Sequence, residues 1–198
     1  GHLVDKSLVA FDTQLDRYKL LETVRQYALE RLAESGDEAD TRDRRLGFYV
    51  ALAERARPEL NGLKQAAWAS RLDADRENIL LAFAHARRAP GGAAAALGMA
   101  HALFMWMSWK DLEVWRRVML EALAHPDAQQ EDAARSRALY VASYIVYVTG
   151  RYEESFSLAQ SSVELSRKCG DVPALAEGLY SLGIAAITLS TSGFTSLP

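Results

Sequence analysis

Across its 198 residues the sequence holds a single cysteine, Cys169, which excludes an internal disulfide and suits a reducing compartment. Neither sign of charge dominates. The 23 basic residues face 26 acidic ones for a net charge of -3, so no global field draws nucleic acid or an anionic membrane to the chain. Any DNA contact would have to come from a local patch. An apolar run of about 18 residues is missing, as is a signal-peptide pattern, which predicts a cytoplasmic protein with no membrane span.

The motifs of catalysis are equally sparse. A phosphate cradle needs a glycine-rich loop ending in Lys and Ser or Thr, between a strand and a helix, and no such pattern occurs. The stretch "APGGAA" has the glycines without the lysine and follows a helical segment, so it reads as an interhelical turn. His85, His101 and His125 fall on three separate predicted helices with no HxxxH or HExxH spacing, and His2 carries no weight. A metal site would have to be assembled from distant segments. Cys169 lies beside Arg167 and Lys168 but has no histidine base nearby in sequence, which predicts an unreactive thiol. Glu153 and Glu154 open a helix, where they favour its dipole without any catalytic role. The expectation is a non-enzyme that carries no cofactor and no metal.

What is present is helical periodicity behind a short strand-like start. Two apolar runs, residues 7–11 and 18–21, flank a polar segment and predict a β-hairpin with a polar tip. From Glu22 the stripe Val24, Tyr27, Ala28 and Leu32 predicts a helix that stops at Gly36. A second helix is expected over 41–57, carrying Leu46, Tyr49, Val50 and Ala53 on one face, before Pro58 and Gly62 interrupt. Residues 63–88 predict helical structure with a bend near Asp73. Pro90-Gly91-Gly92 cannot continue a helix cheaply and marks a turn. Further helices are expected over 93–109, 112–124, 131–149, 152–168 and 173–189.

These later helices superimpose on themselves at a shift of 40 residues. Leu112 maps to Tyr152, Leu123 to Val163, Ala102 to Ala142 and Leu182, and Met99 to Leu139 and Leu179. Ser143 maps to Gly183, small residues where paired helices approach closely. One helical hairpin cannot bury its apolar face alone, so such repeats stack and share a core. Two helix pairs and half of a third are expected, with a turn at Ser190 and a new helix near Ser192. The tail "STSGFTSLP" fits a neighbouring repeat that has been cut away, or an irregular terminus.

Two stretches, "LVDKSLV" at 3–9 and "RYKLLETVRQYALERLAESGD" at 17–37, resemble the end of the winged-helix segment in bacterial STAND ATPases, the signal-transduction NTPases that include many LuxR-type transcriptional regulators. "WASRLDADRENILLAFAHA" at 68–86 resembles the helical linker of that family. "ALFMWMSWKDLEVWRRVMLEAL" at 102–123 and "VTGRYEESFSLAQSSVELSRKCGD" at 148–171 resemble its tetratricopeptide-like repeats. The resemblance implies an all-α fold, a tetratricopeptide-like helical-hairpin superhelix with a small N-terminal β-hairpin left from a winged helix. It implies three parts: residues 3–35 ending the winged helix, 36–92 a helical connector and 93–198 the repeats. It further implies that ATP or ADP belongs to an upstream domain, that the hairpin docks on that domain, and that this chain is a regulatory, effector-sensing module. A stand-alone helical-repeat scaffold for protein partners is the alternative.

Candidate surfaces follow from the residues themselves. Lys6, Arg17 and Lys19 could meet phosphates, but Asp5, Asp12 and Asp16 are interleaved with them and a recognition helix would have to precede residue 3, so direct DNA binding is not expected. The aromatic run Phe104, Trp106, Trp109 and Trp115 reads as repeat core, or as the rim of a concave pocket for a peptide or small effector. Tyr140, Tyr144 and Tyr147 recur at helical spacing, and the first helix of a repeat commonly lines the inner surface. Tyr144 and Tyr147 therefore either face a ligand or are buried with their hydroxyls satisfied at the edge. The candidate partner or effector surface is Trp106, Trp109, Tyr144 and Tyr147.

Overall fold

The computed structural model describes residue 6, residues 8–13 and residues 17–194, the side chains of 17 and 192–194 excepted. The parts of the proposed wing at 3–5, 7 and 14–16, the side chain of Arg17 and the tail at 195–198 lie outside the described residues. Two strands, β1 (Val9–Asp12) and β2 (Arg17–Leu20), pair antiparallel with Val9 opposite Leu20 and Phe11 opposite Tyr18. The rings of that last pair lie 4.9 Å apart, a cross-strand contact of the kind that stabilises a two-stranded ribbon.

Nine α-helices follow among the described residues: α1 (Glu22–Ser35), α2 (Glu38–Glu59), α3 (Gln65–Ala74), α4 (Arg76–Ala86), α5 (Gly92–Met107), α6 (Leu112–Ala124), α7 (Ala133–Val148), α8 (Tyr152–Cys169) and α9 (Val172–Phe194). The fold is an all-α helical superhelix with a small N-terminal hairpin. Its breaks have local causes. Gly36, Gly91, Gly150 and Gly170 stand at positive φ at helix junctions, a conformation that costs a residue with a Cβ. The bend expected near Asp73 falls at Asp75, which ends α3 and precedes α4.

Two expectations about helix ends are corrected. Pro58 does not interrupt α2, which runs one residue past it, and the Leu60 amide still donates to the Ala56 carbonyl at 2.9 Å. No turn falls at Ser190, and no new helix starts near Ser192, since α9 runs through both. The equivalent position one repeat earlier is Gly150, with φ of 80°, and serine lacks that freedom. The Ser190 and Thr191 hydroxyls donate to the Ile187 carbonyl within the continuing helix at 2.8 and 3.0 Å.

The helices form two layers. One row runs α2, α5, α7, α9, each packed on the next, and the other holds α4, α6 and α8 against it. Between the layers lies a continuous core that includes Leu52, Leu72, Ile79, Phe83, Leu103, Met107, Trp115, Met119 and Ile145, all nearly inaccessible. The 40-residue equivalence is visible here, with Met99 and Leu139 both buried, as are Ala102 and Ala142, and Leu123 and Val163. Leu179 of α9, equivalent to the first pair, is 45% exposed because no further repeat packs on it among the described residues.

Where α7, α8 and α9 meet, the seam is made of hydroxyls. Ser136, Ser143, Ser155, Ser162, Ser166 and Ser181 are buried. Ser136 Oγ lies 2.5 Å from Ser166 Oγ, Ser162 donates to the Ser136 carbonyl at 2.9 Å, and Ser143 Oγ lies 2.6 Å from Ser181 Oγ. Small side chains allow close approach, and each buried hydroxyl finds a partner. Ion pairs tie the turns of successive hairpins: Arg151 to Glu113 at 2.8 Å, Lys168 to Glu131 at 2.9 Å and Arg76 to Asp111 at 2.9 Å. The segment Val172–Thr191 is long and apolar enough to cross a membrane, against the expectation that no such run exists. In this fold it packs on α7 and α8, with Ala174, Ser181 and Ala185 buried.

Candidate functional site

The α2–α5–α7–α9 row has a face that the second layer does not cover, and polar and aromatic side chains gather on it. Alpha-helical spacing puts His101 and Phe104 one turn apart on α5, and Arg137, Tyr140 and Tyr144 in line on α7. The Phe104 ring lies between two tyrosines, 5.2 Å from Tyr140 at 61° and 5.1 Å from Tyr144 at 89°, both edge-to-face arrangements. From α9, the Glu177 carboxylate reaches within 3.4 Å of His101 Nε2. Tyr140 is buried, and its hydroxyl is held protonated far above the usual tyrosine range. Burial is the larger cause, followed by the charge of Glu177 and the neighbouring Tyr144 and Tyr180.

Toward the first turns of α5 and α7 the same face opens into a cavity of about 310 Å³. Ala94, Gly98 and Ala134 make room for it, and Glu54, Arg57, His101 and Arg137 line its polar side. Arg137 pairs with the Asp171 carboxylate at 2.6 Å.

The four candidate residues do not converge. Trp106 is buried, its ring 5.2 Å from Trp115, and its indole N–H donates to Asp73 Oδ1 at 2.8 Å. Lys110 stands 2.5 Å from the other oxygen of Asp73. Burial acts to raise the Asp73 pKa, but these two donors outweigh it and hold the carboxyl below its ordinary value. Trp109 is 69% exposed beyond the end of α5 and lines a separate hollow of about 210 Å³ with Leu60, Ala69, Met105 and Trp106. Tyr144 is half-buried against Phe104 on the open face. Tyr147 is also half-buried, its hydroxyl 3.0 Å from Thr188 Oγ1 and its ring 5.4 Å from Tyr152.

Sequence reasoning overlooked His101, Glu177 and Tyr180 as a group. A signal was available, since Glu177 is the one ionisable carboxylate in the 23 residues of α9. Among the described residues no cluster of three or more His, Cys, Asp or Glu side chains is arranged to hold a metal ion. The Cys169 thiol is exposed and lies 3.6 Å from the Glu131 carbonyl. What the open face offers is non-covalent recognition: ring faces, a carboxylate and a polar cavity.

In an alignment of 194 positions that covers 93% of its length, the chain is 32% identical to proteins provisionally named HTH-type transcriptional regulators in Mycobacterium tuberculosis strain H37Rv and in Mycobacterium bovis. Its relatives are named as transcriptional regulators. The chain spans 22% of the length of these relatives. No family model matches the chain, and no solved structure matches it. The similarity covers nearly the whole chain.

Proposed function

We propose that this chain is the non-catalytic sensing segment of a STAND-type ATPase transcriptional regulator, with tetratricopeptide-like repeats that bind an effector or partner protein and bias the nucleotide state of an upstream ATPase domain. The observation that carries this reading is the similarity of almost the whole chain to transcriptional regulators more than four times its length. A helical superhelix with an open, partly aromatic face is suited to such a role, since stacked hairpins create extended binding surfaces. A ligand there shifts the switch only by binding its two states with different affinity.

The N-terminal region supports docking onto another domain. Phe11, Tyr18, Leu20, Leu21, Tyr27 and Leu29 are all 41% exposed or more, and no residue of α1 is buried. Exposed apolar surface gathered this way marks an interaction site. A groove along α1, lined by Leu8, Val24, Tyr27, Ala28 and Leu32, continues it. In this reading the hairpin and α1 face the ATPase domain, nucleotide is held only there, and DNA contact belongs to other parts of the protein.

The test uses the full reading frame that contains this chain. Expected are nucleotide binding by the whole protein, and transcription of a reporter that loses its regulation when residues 93–198 are removed. A full reading frame that binds no nucleotide, with repeats that still capture protein partners, would leave a scaffold in place of a switch.

A further inference from the structure

The open face of α5, α7 and α9 carries features that core packing does not explain. Tyr180 is 59% exposed on α9, one turn from Glu177, although an apolar helix of this kind buries its aromatic residues where it can. Phe104 and Tyr144 are half-buried and meet edge-to-face, and Tyr140 forms the floor beneath them. The hydroxyls of Tyr140, Tyr144 and Tyr180 take no hydrogen-bond partner among the described residues. Tyr147 differs in being tied to Thr188. His101 and Phe104 stand one turn apart on α5, as Glu177 and Tyr180 do on α9, and the 3.4 Å approach of Glu177 to His101 brings those two faces together.

Ring faces are electron-rich, and several of them beside a carboxylate attract a weakly hydrated positive charge. Of the cations nearby, Arg137 is matched to Asp171 at 2.6 Å, and Arg57 lines the neighbouring cavity together with Glu54. His101 Nε2 lies 3.4 Å from the Glu177 carboxylate. A cavity of about 310 Å³ adjoining this cluster through His101 has the size of a small-molecule site.

We propose that the open face binds a small organic cation, its ammonium or guanidinium group resting against Phe104, Tyr144 and Tyr180 with its charge countered by Glu177. This deepens the sensing role above and depends on it for its regulatory meaning, but the binding itself is measured without any output. The ligand is recognised by charge and by ring contact together. An uncharged molecule of the same shape gains only the apolar contact.

The experiment is calorimetric titration of the full 198-residue chain with choline, with its uncharged isostere in which carbon replaces the nitrogen, and with arginine methyl ester. Saturable binding of at least one cation is expected, with the isostere weaker by about tenfold or more. Glu177→Gln and Tyr180→Ala should each weaken the cation by about tenfold, Tyr180→Phe should retain it, and Glu131→Gln on the far side should leave it unchanged. Melting curves show whether each variant is folded, and Tyr180, being exposed, can be truncated without touching the core. Equal binding of cation and isostere, affinity unmoved by Glu177→Gln, or no saturable binding of either cation would overturn the proposal. A reading frame without nucleotide binding would instead overturn the regulatory reading while leaving cation binding intact.

Discussion

The same substitution, glycine to alanine, should have opposite effects at two positions of this chain. Gly92 opens α5 directly after the left-handed Gly91, where the chain reverses from α4. A Cβ placed there would lie 2.9 Å from both the carbonyl carbon and the Cα of Ala86, and closer still to its oxygen. Carbon atoms that are not bonded approach to about 3.5–4.0 Å, so the overlap is roughly 0.6 Å or more. All three obstructing atoms are backbone, and no flexible side chain can give way. Relief requires α4 and α5 to separate, an overpacking cost of about 1–3 kcal/mol toward its upper end, only partly offset by alanine's better helix propensity. The net expectation for Gly92→Ala is a loss of about 2 kcal/mol, a melting temperature lower by about 4–8 °C. Gly47 lies inside α2 with nothing within 4 Å of its virtual Cβ. Gly47→Ala should stabilise by about 0.5–1 kcal/mol, through helix propensity and a less disordered unfolded chain. Circular dichroism melts of the two variants beside the parent make the comparison. If Gly92→Ala melts at or above the parent temperature, the close approach of α4 to α5 is not what holds this turn.

Three further outcomes follow from the same structure. Ser136→Ala should cost about 1–3 kcal/mol by leaving buried groups of the α7–α8 seam without a partner, and the double variant with Ser166→Ala should cost less than the two singles combined, as urea midpoints would show. Trp115→Ala should destabilise by about 3–5 kcal/mol because the ring is fully buried, whereas Trp109→Ala should stay within about 0.5 kcal/mol, which lets any loss of partner binding in the latter be read as lost contact. For Asp73, whose folded pKa lies below the ordinary 3.8, the stabilisation is complete above the unfolded value and is lost as pH falls through the lower folded value. Asp73→Asn should therefore lose less stability than the parent on acidification from about pH 5 to pH 3, and an equal loss in both would contradict the pairing with Lys110 and Trp106.

Elements with local causes were legible in the sequence. The strand pair, the helices and their breaks at Gly36, Pro90-Gly91-Gly92 and Gly150 follow from residue periodicity and from turn residues a few positions apart. The 40-residue shift was legible for the same reason, since equivalent positions meet equivalent neighbours. The site was legible only in part. Tyr144 lies on the open face as its spacing allowed, whereas Trp106, buried, and Trp109, exposed beyond the end of α5 at Met107, both border a separate hollow.

By itself, the sequence determined that this chain is a run of stacked helical hairpins behind a short hairpin of strands, because apolar spacing and backbone freedom act over a turn or two. Tertiary structure alone decided which polar groups meet. His101 on α5 finds Glu177 on α9, four helices further along the chain, Tyr49 donates to the buried Asp75 at 2.7 Å, and six serines from three helices share one seam. Such contacts depend on how the rows stack, and stacking is set by the summed fit of many side chains that no short window contains.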